Sequence, residues 1–406
     1  MKIKDIYTDH TLIIKELEKS IKFYNWDFIL PFLPEQSFLV GGYIRDIILR
    51  RISKEVDVDI VVPANAIDIG ESISKYFDCK MIILDKERQV VRIILNDISF
   101  DIANQISPFI EVDLKSRDFS INSIAFSFDQ KCLIDPLNSL KDFESFLLRT
   151  YSKKNLLDDP LRILRCFRFV SELNFKLDAE LITFIKQYKE RLELVAKERI
   201  NYEIRRIAKG VNALESILYL KELKIFEFEN SFKDSFFIDL KEIDFEELNQ
   251  NEKDKFLSFF FISQILTEAS LEKLKFSKTE ILKTRLLRKW HCILRKKNIS
   301  QFNEDERFNL HKELEDILPT FIFHIPQNLR SEWLDRWRDK EDKLFHPRNL
   351  VKGNVIKQHL NIGDGPILGQ LLNYLSKEHA YGRLDTFDEA IYNAKQWIQQ
   401  NAPKCD

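Results

Sequence analysis

The chain lacks the cysteine pattern from which a disulfide framework or a zinc cluster is built. Its five cysteines, Cys79, Cys132, Cys166, Cys292 and Cys405, are odd in number and scattered, with no Cys-x-x-Cys pair. The seven histidines form no ligand spacing. Long apolar runs are missing as well. The greasiest stretch, residues 256–266, is broken by Ser258, Ser263 and Gln264 and falls far short of the roughly 18 residues that a membrane helix needs. The opening Met1-Lys2-Ile3-Lys4-Asp5 brings an acid early and runs into an amphipathic pattern at Leu12, Ile13, Leu17 and Ile21, which is not the apolar core of a secretory signal. These absences predict a cytoplasmic protein with no membrane span. Internal repeats and low-complexity tracts are absent too, and nothing marks an obligate protein partner.

Excess charge of one sign is also lacking, since the net value is only −2. The distribution is more informative than the sum. Residues 271–300 hold ten basic side chains against Glu272 and Glu280, while residues 227–254 are acid-rich. The basic run, with Lys283, Arg285, Arg288 and Lys289 at its centre, is a candidate for binding RNA phosphates through charge, and a solvated helix face is its competing reading.

What is present in quantity is core material. A chain of 406 residues with 44% hydrophobic content exceeds what one core serves, and 33 phenylalanines against 2 methionines make those cores aromatic. Up to about residue 150, short β-rich runs (38–40, 58–62, 81–84, 90–95, 98–102) mix with helical ones, which reads as an α+β domain with a mixed sheet. Beyond Asp158 apolar residues recur at helical spacing almost to the end. Pro326, Pro347 and the turn Gly363-Asp364-Gly365-Pro366 punctuate that region. The expected organisation is a head at 1–150, a helical neck at 151–210, a helical body at 211–345 and a helical tail at 346–406.

Two segments of the head carry candidate chemistry. Phe38-Leu39-Val40-Gly41-Gly42-Tyr43-Ile44-Arg45-Asp46 runs from a strand through two glycines into a helix with Arg45 in its first turn. Glycines admit backbone N–H groups to an anion, and a guanidinium fork matches phosphate oxygens. A tight strand-to-helix connection explains Gly41 and Gly42 equally well on their own. Then Val56-Asp57-Val58-Asp59-Ile60-Val61-Val62 interrupts an apolar strand with two acids. That spacing puts both carboxylates on one face, about 7 Å apart along the strand. Charges there cost stability unless neutralised, and hard divalent ions neutralise carboxylates well. A solvated edge strand is the competing reading of the doublet.

Taken together, Gly-Gly, Arg-Asp and Asp-x-Asp resemble the nucleotidyltransferase signature of the DNA polymerase beta superfamily. Further segments follow in order: Ser116-Arg117-Asp118-Phe119-Ser120-Ile121-Asn122, Asp135-Pro136, Asp158-Asp159-Pro160-Leu161-Arg162 continuing to Arg165 and Arg168, and Glu198-Arg199-Ile200-Asn201-Tyr202-Glu203. These are similar to the successive motifs of class II tRNA nucleotidyltransferases, the family that also contains bacterial poly(A) polymerases. The similarity is close over residues 37–210 and looser over 350–398.

The resemblance implies CCA addition to the tRNA 3′ end from CTP and ATP, without a template and with Mg²⁺. It implies that Asp57 and Asp59 are the metal carboxylates, with Asp101 a third candidate, and that Arg45 contacts triphosphate. Arg117, Asp118 and Asn122 would serve ribose and phosphate, and Asp159 with Arg162 would read the base. The last pair also has a chemical argument: a carboxylate accepts from the amino group of cytosine or adenine, while a guanidinium donates to ring acceptors. If Pro160 opens a helix, Asp159 and Arg162 are neighbours on one face of it, and an ordinary surface ion pair competes with that reading. Arg165 and Arg168 continue at three-residue steps and are expected to form a cationic stripe toward triphosphate or primer.

The sequence departs from the family at Ser116, Ser139 and Asp158, where Arg, Gly and Glu are usual. More consequential is the short interval, residues 102–116, between Asp101 and Arg117. Many complete CCA-adding members carry a longer flexible loop there, linked to switching from C to A addition, so CC-only addition stays open. Asp85 and Arg88 offer a substitute acidic-basic element, with an ordinary turn as the competing reading. A-only addition, poly(A) synthesis and a non-catalytic RNA-binding relative are further alternatives.

Overall fold

The computed structural model describes residues 9–51, 56–226 and 245–401; Cys405 and the Met1–Asp5 segment lie outside them. The chain divides into two units, Met1–Ile225 and Phe226–Asp406.

The first unit is built on a seven-stranded sheet of order β3-β4-β5-β2-β1-β6-β7. Its strands are β1 (Phe38–Val40), β2 (Val56–Val62), β3 (Lys80–Asp85), β4 (Val90–Leu95), β5 (Ile98–Asn104), β6 (Ala125–Ser127) and β7 (Leu133–Ile134). Only β2 and β5 run parallel; every other pairing is antiparallel, so the sheet is mixed. Strands β6 and β7 go beyond the sequence expectation, being too short to show an alternation of their own.

Alternation along β2 decides which side of the sheet is core. Val56, Val58 and Ile60 are buried, whereas Asp57 is exposed and Asp59 half-buried. On the buried side Trp26, Phe100 and Tyr43 pack edge to face. On the acid side the strand turns apolar again at Val61, which joins Phe38, Val40 and the α1 (Ile110–Ser116) residues Ile110 and Leu114 in a small cluster. That cluster closes one end of the acidic face and leaves the other open.

After the sheet, α2 (Lys153–Asp158), α3 (Arg162–Leu173) and α4 (Lys197–Lys209) carry the later motifs. One two-stranded parallel pairing, Leu147–Leu148 with Lys176–Leu177, interrupts the otherwise helical run after the head. The second unit is helical. Its longest helix, Lys278–Lys296, starts in a capping box between Ser277 and Glu280. Its last three helices, Gly353–Leu360, Pro366–Ala380 and Phe387–Asn401, enclose Ile356, Leu371, Leu375, Ala390 and Ala394. Among the described residues no helix is long and apolar enough to cross a membrane.

Candidate active site

Strand register assembles the site. Asp59 lies opposite Val40 on one side and Asp101 on the other, so the chain leaving β1 at Gly41 passes directly by the Asp59 carboxylate. Gly41 has φ +77°, and a Cβ there would sit 2.8 Å from Asp59 Oδ2 and 3.1 Å from Arg117 Nη1. Both the backbone angle and the crowding therefore demand glycine at this position.

Asp57, Asp59 and Asp101 line one cavity of about 820 Å³ together with Gly42, Arg45, Arg92, Arg168 and Phe169. Asp57 and Asp59 carry no ion pair among the described residues. Burial pushes the Asp59 carboxyl up; the Arg117 charge opposes this, while the Asp101 and Asp57 charges reinforce it. Asp101 differs, because the Arg92 guanidinium grips both its oxygens at 2.7 and 2.6 Å. Among the described residues no three metal-ligating side chains converge. The donor set still fits a hard divalent cation, since Asp57 and Asp59 are cavity-facing oxygen donors outside any ion pair of the described residues, and phosphate oxygens complete such shells.

A hydrogen-bonded chain runs behind the cavity. Arg45 donates through Nη1 to Asn122 Oδ1 (2.8 Å), and Asn122 Nδ2 donates to Asp118 Oδ1 (2.9 Å). Arg165 Nε donates to Asp118 Oδ2 at 2.9 Å. Burial alone would raise the Asp118 carboxyl, but Arg165 and the Asn122 amide hold it well below the usual carboxylate range. Arg45, Asp118, Asn122 and Arg165 are thus one connected unit.

The expected helical pair at 159 and 162 is corrected by the structure. Asp159 precedes a proline, which disfavours helical backbone in the residue before it. It is extended (φ −142°, ψ 98°) and caps the end of α2, and α3 begins only at Arg162. Asp159 accepts from the Leu161 N–H (3.2 Å) and from Arg199 Nη2 (3.0 Å). Arg162 Nη1 donates to the carbonyls of Ser116 (3.0 Å) and Asn155 (2.9 Å), and the Asn155 amide donates to the Lys115 carbonyl at 2.8 Å. One guanidinium end thereby fixes the segment that carries Arg117.

The expected cationic stripe does not form. Arg165 is paired with Asp118, and Arg168 is buried against Glu203 (3.0 and 3.2 Å). Burial draws the Arg168 guanidinium down to about 10 and pushes the Glu203 carboxyl up. The centre of the basic run of the second unit is likewise occupied. Lys283 pairs with Asp316 (3.4 Å), Arg285 with Glu268 (2.9 Å) and Lys289 with Glu313 (2.6 Å). Arg288 is buried and donates to the Leu266 carbonyl, so it satisfies the end of helix Ser258–Ile265 and presents no charge to a surface. Asp85 and Arg88 form a turn: the Asp85 carboxylate accepts from the backbone N–H groups of Glu87 and Arg88.

Sequence reasoning missed Arg92 and gave Arg199, quoted within the Glu198–Glu203 segment, no role. Arg92 had a readable signal, being the single charge in Val90-Val91-Arg92-Ile93-Ile94-Leu95 one strand away from an acid. The pairing of Arg199 had none, because 40 residues separate it from Asp159.

A mixed sheet with an acid pair beside a glycine turn, closed behind by arginine-bearing helices, defines a nucleotidyltransferase head. Residues 37–149 match the family described as Poly A polymerase head domain. The CC-adding tRNA nucleotidyltransferase of Synechocystis sp. is 28% identical over 91% of this chain and 95% of its own length. A CCA-adding enzyme of Staphylococcus aureus is 24% identical over 90% and 94%. The Bacillus stearothermophilus CCA-adding enzyme, solved in complex with CTP, shares the fold with a TM-score of 0.67 at 19% identity over 96% of each chain. The head therefore resembles that of poly(A) polymerases, and the chain along most of its length is similar to tRNA nucleotidyltransferases. A nucleotidyltransferase head of this kind implies dependence on a divalent cation.

Proposed function

We propose that the chain extends the tRNA 3′ end toward CCA by nucleotidyl transfer from CTP and ATP, in the cytoplasm. One observation carries this reading: Asp57 and Asp59, neither paired within the described protein, face a single cavity together with Arg45 and the glycine turn. A divalent cation held there by the two carboxylates, magnesium in our reading, would favour ionisation of the attacking 3′ hydroxyl and offset the phosphate charge.

The chain's own residues do the rest. Arg45 and Arg117 bind the triphosphate and orient its α-phosphate toward the hydroxyl, which attacks in line as pyrophosphate leaves. Asn122, Asp118 and Arg165 keep Arg45 in place, and the Asp118–Arg165 pair faces the ribose. Arg168 supports that unit from its buried pair. Asp159 and the donors of Arg162 not bound to Ser116 and Asn155 accept from and donate to the incoming base, selecting cytosine and adenine by their amino groups. Residues 1–150 act as the head, 151–210 as the neck, and 211–345 with 346–406 as the body and tail that hold tRNA.

A second reading is favoured by a specific feature. Only residues 105–109 join β5 to α1, and the nearly full-length Synechocystis relative is a CC-adding enzyme; both support addition that stops at CC. tRNAs ending before CCA, after C and after CC, each given CTP or ATP alone, separate the two. The CCA reading expects ATP to be incorporated on the tRNA ending in CC, and the CC reading expects only CTP incorporation on the first two. No incorporation on any substrate would contradict both.

A further inference from the structure

We propose that Arg92 is a resident counter-ion that keeps Asp101 out of the divalent-cation site, leaving a two-carboxylate site that phosphate oxygens must complete. The inference rests on the reading above, in which Asp57 and Asp59 hold that cation.

Three strands lay the groups side by side. Asp59 on β2 is in register with Asp101 on β5, and Asp101 is in register with Arg92 on β4. Adjacent strands are about 4.8 Å apart, so three carboxylates stand on one small patch of sheet, and like charges facing each other across strands destabilise it. The sequence resolves this repulsion at one of the three. Arg92 engages Asp101 with Nε and Nη2 on separate oxygens, a planar two-pronged grip that takes one lone pair of each oxygen and matches the charge of that carboxylate. Asp57 and Asp59, on the same cavity wall, receive nothing equivalent. This explains how three acids line one cavity while no three ligands converge among the described residues.

The functional consequence follows from ligand count. A hard cation takes six or more oxygens, and its affinity rises with the number of charged ligands. With Asp101 withheld, the protein alone holds the cation weakly, and tight binding waits for the triphosphate. Arg92 is therefore a positioning residue that acts through Asp101.

The test measures Mn²⁺ binding to the full chain without nucleotide or RNA, by the electron paramagnetic resonance of free Mn²⁺. Folding of each variant is checked by its melting curve. Arg92→Gln is expected to bind Mn²⁺ about tenfold tighter than the parent, the scale on which residues surrounding a metal site tune affinity. Arg92→Lys keeps the charge but gives up the two-pronged grip, and is expected to fall between the two. Combining Arg92→Gln with Asp101→Asn removes a neutral pair and should return affinity to within about twofold of the parent. Arg92→Gln binding no tighter than the parent, or the paired variant binding as weakly as Asp57→Asn, would overturn the role of Arg92. Should Asp57→Asn itself leave Mn²⁺ binding unchanged, the underlying cation reading fails instead, and the two failures are told apart.

Discussion

The acid pair of the first unit and the basic run of the second are the two charge patterns that stand out in the sequence, and the folded chain treats them in opposite ways. Asp57 and Asp59 are left outside any ion pair of the described residues on a cavity wall, with Asp59 pushed toward its neutral form by burial against the opposing Arg117 charge. Lys283, Arg285 and Lys289 each meet an acid, and Arg288 is spent on a backbone carbonyl inside the unit. A dense run of like charge is thus no evidence of a ligand once the fold supplies partners. Two charges left unpaid in a sheet are such evidence, because the sheet bears their cost unless something else neutralises them.

The widest separation between the regions should appear in activity. Asp57→Asn and Asp59→Asn are expected to lower CTP incorporation by at least about a thousandfold, the scale on which transition-state charge stabilisation operates. Asp59→Asn should at the same time melt at a higher temperature, since it removes a half-buried charge whose burial outweighs the opposing Arg117 charge. A drop in melting temperature matching the loss of activity would return the doublet to a structural role. Gly41→Ala comes next: positive φ and a contact with Asp59 Oδ2 at 2.8 Å should cost about 1–3 kcal/mol, with turnover falling more than stability.

In the second unit the ordering reverses. Arg288→Ala should destabilise by about 1–3 kcal/mol by leaving buried carbonyls unsatisfied. Lys283→Ala, Arg285→Ala and Lys289→Ala should each cost less than about 1 kcal/mol. Urea unfolding of the four variants checks this, and equal costs would erase the distinction drawn between buried and surface cations.

A further effect concerns acid. His311 lies against the rings of Trp333 and Phe345 (centroids 4.8 and 3.9 Å), and burial, reinforced by the Arg336 charge, pushes its imidazole down to about 3. Between that value and its ordinary one, the unfolded chain binds a proton that the folded chain refuses. Stability attributable to this residue is full above about pH 6.5 and falls by about 1.4 kcal/mol for each unit below it. His311→Phe should flatten the pH dependence of the unfolding midpoint between pH 6.5 and 5.

Much of the head was legible because short-range rules governed it. The alternation Val56-Asp57-Val58-Asp59 fixed which side chains share a face, and Gly41 next to Gly42 marked a turn that the structure needs for a close approach. What was not legible depended on pairing across the chain. The helical placement of Asp159 failed on a local rule, the restriction that Pro160 imposes on the residue before it. The open cationic stripe at Arg165 and Arg168 failed on distant partners, Asp118 and Glu203, 47 and 35 residues away. Arg92 lay between these cases: its strand could be read, but its grip on Asp101 required the register.

Single-turnover incorporation of labelled CTP into tRNA lacking its 3′ CCA, by the parent chain and by Asp59→Asn at matched tRNA occupancy, tests the central claim most directly. The account predicts product from the parent and essentially none from the variant, with tRNA affinity unchanged. Incorporation by Asp59→Asn within a few-fold of the parent would contradict it.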